Sequence, residues 1–473
     1  MTTTDLGTCT AAELSRLYAT GEASPLEATR AALDRIERYN DAVNAYVHVD
    51  REGAEAEAKK SAQRWGRGQQ LGPLDGVPVS MKDLTEVKGM PAREGSLLSS
   101  AKPCEQDAPP AARMREAGAV ILGKTNTPEF GWKGVTDNRL FGPTRNPWDT
   151  TLTPGGSSGG AAAAAALNMG ALHQGGDSGG SIRIPAAFTG TFGFKPTFGW
   201  TPQWPPSNAP DLSHIGPLTR TVEDAVLMLN CIGRYDHRDP YATRGQPDDW
   251  GQDLDKGLTG LRIAYAPELG GAKADPEIAA RVAEAARNLE ALGAEVVEIA
   301  PEIGHPIRCF QMIWFTASRD LYLSCTEAER EKLDPGLVSN AKTAADWTSV
   351  DLFRTLAARA SLTQELEAFN QEYHLLMTPT VAVPAFEVNH DTPPGRDMTD
   401  WTEWSPFTYP FNLSQQPACS VPCGFTDAGL PVGFQLAGGK YDDIRILRAA
   451  HAYIEAHPPR FPAVPDPAQT AQP

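Results

Sequence analysis

Two glycine–serine loops, each running into a helix of small residues, constrain this chain more than anything else in it. LTPGGSSGGAAAAAALNMG occupies 152–170 and GGDSGGSIRIPAAFTG occupies 175–190. From 150 to 176 there is no Asp, Glu, Lys or Arg. Gly, Ser, Thr, Asn, Gln and Ala dominate that stretch, so it lacks the apolar side chains a membrane-spanning helix requires. The alanine run at 161–166 predicts a helix packed closely against a core, with the loop before it presenting backbone rather than side chains.

The surrounding chain sets the scale. At 473 residues, with 41% hydrophobic and 21% charged residues, it can bury a large core, and no linker or internal repeat divides it. One large α/β domain is expected. A net charge of −17 excludes the clustered basic surface that non-specific binding to nucleic acid or anionic lipid requires. The N-terminal MTTTDLGTCTAAELSRLY has neither the basic nor the apolar region of a secretory signal, and the seven cysteines form no C-x-x-C pair. Free thiols in the cytoplasm are expected, with no metal, no cofactor and no membrane.

Patterning supplies the elements. Residues 1–66 read as helices, with Ser24-Pro25 starting the second. VPVSM (77–81) reads as a short buried strand, AARMREAG then AVILGKTN as helix and strand, and GLRIAYAP, DPEIAARVAEAARNLEALG and AEVVEIA as a βαβ-like unit. Residues 301–372 read as mostly helical. HLLMTPTVAVPAF and LPVGFQLAGG read as buried strands, and DDIRILRAAHAYIEAH as a closing helix. LNMGALHQG, ahead of the second loop, does not read as a strand.

That last reading bears on the chemistry. Gly176-Asp177-Ser178-Gly179-Gly180 fits the G-x-S-x-G nucleophile turn, which follows a strand, and also resembles the GDSGG of chymotrypsin-type proteases. Gly156-Ser157-Ser158-Gly159-Gly160 fits G-x-S-x-G equally, so the pattern discriminates poorly. The protease reading requires a disulfide-bearing β-barrel, which a helix-rich, cysteine-poor chain does not match. A third arrangement uses both loops and Lys82, which lies in the apolar run PVSMKDL. Burial favours the neutral amine, and a neutral lysine can take a serine proton directly or through a second hydroxyl. Alone, the segment is read equally well as a surface lysine paired with Asp83.

Read together, GVPVSMKDL (76–84), GKTNTPEF (123–130), NPWDTTLTPGGSSGG (146–160), GGDSGGSIRIPAAFTGTFGFKPT (175–197) and GPLTRTVEDA (216–225) closely resemble the amidase signature family of Ser–Ser–Lys hydrolases. The N-terminal helices, MTPTVAVP and LPVGFQLAG extend the resemblance over nearly the whole chain. It implies one α/β domain with a mixed, twisted sheet covered by helices on both faces. Within 1–473 the parts are N-terminal helices (1–66), a catalytic core (67–230), a variable substrate-side region (231–400), C-terminal strands and helix (401–457) and a frayed tail (458–473).

The resemblance also implies the site residues. Lys82 is the base, Ser157 the bridging serine on a cis peptide, and Ser181, 24 residues further on, the nucleophile. The backbone N–H groups of Ser178, Gly179, Gly180 and Ser181 form the oxyanion hole, while Ser158, Asp177 and Arg183 support the loops and Glu129 anchors a turn. Gly176 and Ser178 beside Asp177, and Gln415-Gln416-Pro417, depart from the commonest wording, which bears on specificity more than on the triad. Aromatic residues gather near these motifs: Phe130 and Trp132, Trp200 and Trp204, and Trp314 with Phe315. Each is read as core packing or as pocket wall; Phe130, Trp132, Trp204 and Trp314 are the pocket candidates. The expected substrate is a small or aromatic amide, anilide or carbamate, with water, acting on a monomer or homodimer. Two alternatives stand beside it: the amidase subunit of a tRNA-dependent amidotransferase, and a catalytically silent scaffold of the same fold.

Overall fold

Helix starts follow the capping chemistry in the sequence. Thr10 and Ser24 each accept a hydrogen bond from the backbone N–H three residues on and donate their own backbone N–H to the glutamate there, so reciprocal caps begin the helices Ala11–Thr20 and Pro25–Val43. In the computed structural model, which describes residues 5–301, 303–304 and 306–462, the next helix is Arg51–Gly66. The short strand Tyr46–Val49 interrupts the helical stretch expected for 1–66. Of the tail expected from 458, residues 463–473 lie outside the described residues.

Among the described residues there are thirteen strands: β1 Tyr46–Val49, β2 Pro78–Lys82, β3 Val120–Thr125, β4 Leu172–Asp177, β5 Phe192–Lys195, β6 His214–Thr219, β7 Arg262–Tyr265, β8 Glu268–Leu269, β9 Ala272–Lys273, β10 Glu295–Glu298, β11 Leu375–Pro379, β12 Ala418–Phe425 and β13 Pro431–Gly438. Eleven form one mixed sheet in the order β1-β3-β2-β4-β6-β5-β12-β13-β11-β7-β10, and β8 and β9 make a separate hairpin. The βαβ-like unit is as read from the sequence. β7 and β10 pair in parallel across the helix Pro276–Ala291, whose Ile278, Val282 and Leu289 are buried. The stretch 301–372 supplies the helices Pro306–Ser324, Glu327–Arg330, Pro335–Thr343 and Ser349–Glu372. No described helix is long and apolar enough to cross a membrane.

One sequence reading is corrected here. LHQGGD is a strand, β4, paired in parallel with β2 on one side and antiparallel with β6 on the other. Its burial on nearly every residue leaves no apolar–polar alternation, and after Leu172 its side chains are polar or absent. The backbone ladder and the neighbouring strands hold it in place, and neither leaves a periodic trace in the sequence.

The sheet positions the site. β2 and β4 are parallel neighbours with Ser80 opposite His173, so Lys82 and Asp177 stand at the same, carboxyl-terminal edge. Ligands of open α/β sheets gather outside such edges. The helix Gly159–Ala166, buried at every residue, packs on β2, β4 and β6, and its N-terminus brings the first glycine–serine loop to that edge. Close approach is why glycine occupies 160. A Cβ there would collide with the Asn126 nitrogen and stand 2.5 Å from the Ala45 carbonyl oxygen. Backbone atoms cannot yield as a flexible side chain would. Gly160→Ala is therefore expected to destabilise the protein by about 1–3 kcal/mol. Urea denaturation followed by tryptophan fluorescence checks this; an unchanged midpoint would contradict the close approach.

Candidate active site

Lys82 closes β2 and is almost wholly buried, at 1% exposure. Its backbone N–H donates to Gln174 Oε1 on β4, which also receives the Thr85 hydroxyl, so the lysine is held from the neighbouring strand. Its Nζ lies 2.6 Å from Ser157 Oγ, 2.9 Å from Ser158 Oγ and 3.4 Å from the Gly176 carbonyl oxygen. Among the described residues no carboxylate reaches that nitrogen. Burial pushes the ammonium down to about 7, against the opposing charge of Asp177. The alternative of a surface lysine paired with Asp83 is thus excluded: Asp83 pairs with the buried Lys124 on β3, 3.2 Å away.

The two serines divide their contacts. The Gly156–Ser157 peptide is cis. Ser158 donates its hydroxyl to the Gly176 carbonyl at 3.0 Å and receives the Gly176 N–H at 3.2 Å, fastening the first loop to β4. Its backbone N–H donates to the Ser181 carbonyl at 3.1 Å, so the two loops are joined directly. Ser181 is 6% exposed, and its hydroxyl has no hydrogen-bond partner among the described residues.

A fully buried ion pair shapes the second loop. Arg183 makes a two-pronged contact with Asp177, through Nε at 2.9 Å and Nη2 at 2.9 Å. Burial opposes the Asp177 charge, but Arg183, Lys195 and Asn412 together hold its carboxyl well below the usual carboxylate range. Asp177 in turn accepts the Gly180 N–H at 2.8 Å and the Ile182 N–H at 3.2 Å, folding the chain around itself. This alters the expected donor set. The Gly180 N–H is spent on Asp177, whereas those of Ser178, Gly179 and Ser181 have no partner among the described residues.

Thr408, Asn412 and Gln435 complete the support. Arg183 donates to the Thr408 carbonyl, Gln435 Oε1 and Asn412 Oδ1 at 2.6–2.8 Å, and Asn412 donates to Asp177 at 2.9 Å. Sequence reasoning did not find these three. They lie more than 220 positions from the loop and belong to no short motif, so only the folded chain brings them together. Glu129 does anchor a turn: it receives the Ser96 hydroxyl at 2.7 Å and the Asp334 N–H at 2.6 Å.

A cleft of about 460 Å³ opens over Lys82, Ser157 and Ser178, walled by Phe130, Trp204 and Trp314. Trp132 stands outside this cleft. It lines a smaller pocket behind it and packs against the backbone of Gly336, where a Cβ would strike its ring. Its carbonyl receives the Trp314 indole N–H at 2.8 Å, so it fixes one cleft wall from behind. Trp200 is core, edge-on to Trp250, and Phe315 stacks on Trp347; neither lines the cleft.

Comparison with known proteins fits this geometry. Residues 27–447 match the Amidase family profile. The chain is 36% identical to an acylamidase of Rhodococcus erythropolis, covering 97% of each protein. It is 35% identical to a glutamyl-tRNA(Gln) amidotransferase subunit of Myxococcus xanthus (strain DK1622), covering 97% of this chain and 98% of that one. A crystal structure of a bacterial aryl acylamidase of the amidase signature family superposes with a TM-score of 0.88 at 29% identity, over 95% of this chain and 96% of that one. This chain belongs to the amidase signature family and is an amide-hydrolysing enzyme.

Arg183→Met leaves Asp177 buried and unpaired. The expected cost is about 3–5 kcal/mol of stability, checked by chemical denaturation. A loss below about 1 kcal/mol would show that the pair does not hold the loop.

Proposed function

We propose that Ser181 attacks the substrate carbonyl to form an acyl-enzyme, with Lys82 as general base acting through Ser157. The single observation that carries this reading is the buried Lys82 nitrogen, 2.6 Å from Ser157 Oγ and lacking any acidic partner among the described residues. Near neutral pH such an amine has a populated neutral form and can accept a proton. In the proposed sequence, the Ser181 hydroxyl gives its proton to Ser157 as Ser157 passes its own to Lys82. The oxygen so released adds to the carbonyl carbon. The tetrahedral oxyanion lies against the unpartnered N–H groups of Ser178, Gly179 and Ser181, fixed dipoles that need no reorganisation. Lys82 returns the proton through Ser157 to the leaving nitrogen as the C–N bond breaks. Water then repeats the cycle on the acyl ester.

The substrate class follows from the cleft. Its aromatic wall and its modest volume favour a small or aromatic acyl amide, an anilide or a carbamate over a long chain. The 36% identity to an acylamidase supports the same class. A second reading, amide cleavage inside an amidotransferase assembly, is favoured by the 35% identity to the Myxococcus xanthus protein. Purification from the native cell separates the two: the first expects activity from this chain alone, the second expects partner proteins that co-purify and are needed for activity.

Three outcomes are expected. A fluorophosphonate adduct, located by peptide mass spectrometry, falls on Ser181; an adduct on Ser178 would overturn the assignment. Lys82→Ala lowers kcat/KM by about 10²–10⁴-fold at every accessible pH while the circular dichroism spectrum is retained. In the wild type, kcat/KM rises with pH through about 7 and levels above it, because the base works only after losing its proton. A flat profile from about pH 5 to 9 would contradict a lysine base.

A further inference from the structure

The cleft has a second wall that the hydrolytic mechanism does not use. It is lined by Glu86, Glu94, Ser99 and Lys102. Glu94 is tied to the aromatic side by its backbone. Its carbonyl accepts the Phe130 N–H at 2.8 Å, and Gly131, the next residue, stands against Ser157. Both Glu94 and Phe130 hold left-handed backbone conformations, with φ of 52° and 51°. For residues with a Cβ such geometry is costly and persists where the surroundings enforce it, often beside a ligand. Here it holds a carboxyl group and an aromatic ring in the wall of one cleft.

That carboxyl is poorly matched by its own protein. Among described side chains only Ser99 Oγ approaches it, at 3.5 Å. Lys124, the nearest buried cation, is ion-paired with Asp83. Burial pushes the Glu94 carboxyl up to about 7, a shift to which Asp83 and Glu86 add and which Lys124 and Ser99 oppose. An arriving cation would relieve this mismatch, and an arriving anion would aggravate it. Among the described residues no arginine lines the cleft, and its one lysine apart from Lys82 is the exposed Lys102. Apart from Lys82, a substrate carboxylate therefore meets no buried basic partner in the cleft.

We propose that Glu94 is a specificity residue that selects amides carrying an ammonium group, with their apolar part on Phe130, Trp204 and Trp314. The ammonium replaces the missing hydrogen-bond donors at Glu94, and aromatic faces in the same cleft favour the same charge. This deepens the acylamide reading above and rests on it for turnover, though not for binding.

Calorimetry with two inert probes, benzylammonium and benzoate, tests the assignment apart from turnover. Wild-type protein is expected to bind benzylammonium about tenfold or more tightly than benzoate, the scale of one charge-assisted hydrogen bond. Glu94→Gln is expected to shrink that ratio to within about threefold, and Glu94→Asp, which keeps the charge, to retain its sign. Equal binding of both probes by the wild type, or an unchanged ratio in Glu94→Gln, overturns the proposal. In parallel, kcat/KM is compared for 4-(aminomethyl)acetanilide and 4-(carboxymethyl)acetanilide, with the first expected to be preferred. Probe selectivity without hydrolysis of either anilide supports Glu94 while sinking the acylamide reading. A preference for the carboxymethyl compound sinks Glu94 while leaving hydrolysis intact.

Discussion

A lysine withdrawn from water without an acid to balance it is the constraint around which this structure is arranged. Two buried lysines stand on neighbouring strands of the sheet. Lys124 on β3 and Lys82 on β2 are both fully buried, and only Lys124 has a carboxylate. Lys82 is left with two hydroxyls and a peptide carbonyl, which bring no countercharge to offset the loss of water. The environment therefore favours the form able to accept a proton. The uncharged alanine helix beside it adds no charge of its own.

The charge needed to shape the loops is instead placed one strand-end away. Asp177 and Arg183 form a closed unit whose bonds are satisfied by backbone N–H groups and by Thr408, Asn412 and Gln435. Such a pair contributes little net stability, because the cost of dehydration offsets most of the attraction. Its contribution is geometric. By drawing the Gly180 and Ile182 N–H groups toward Asp177, it turns those of Ser178, Gly179 and Ser181 away from internal partners. The departure from four expected donors to three has this cause: the carboxylate that organises the loop must itself be hydrogen-bonded.

What was legible in the sequence follows the same physics. Helices with caps, such as the one begun by Ser24-Pro25, and strands rich in branched residues, such as β3, declare themselves through local preference. β4 did not, because a strand buried on both faces and built from His, Gln and Gly has no pattern to read. That Lys82 meets the serines of the first loop was legible through the family resemblance carried by two short loops and a lysine strand. Which aromatic residues face the cleft was not legible, since Trp132 and Trp200 differ from Phe130 and Trp204 only in which way the folded backbone turns them. The supporting residues near 410 and 435 were equally hidden, being ordinary polar side chains far along the chain.

The alanine helix has a consequence of another kind. The helix Gly159–Ala166, which carries the first glycine–serine loop, consists of glycine and alanine alone, so ordering it costs little rotamer entropy and leaves few alternative packings. The walls come from other stretches, around 86–104, 203–209 and 314–321, whose side chains are large and varied. Reactivity and selectivity are thus written in separate segments of the chain. The walls can be redrawn by substitution, while a helix of glycine and alanine offers no side chains to repack.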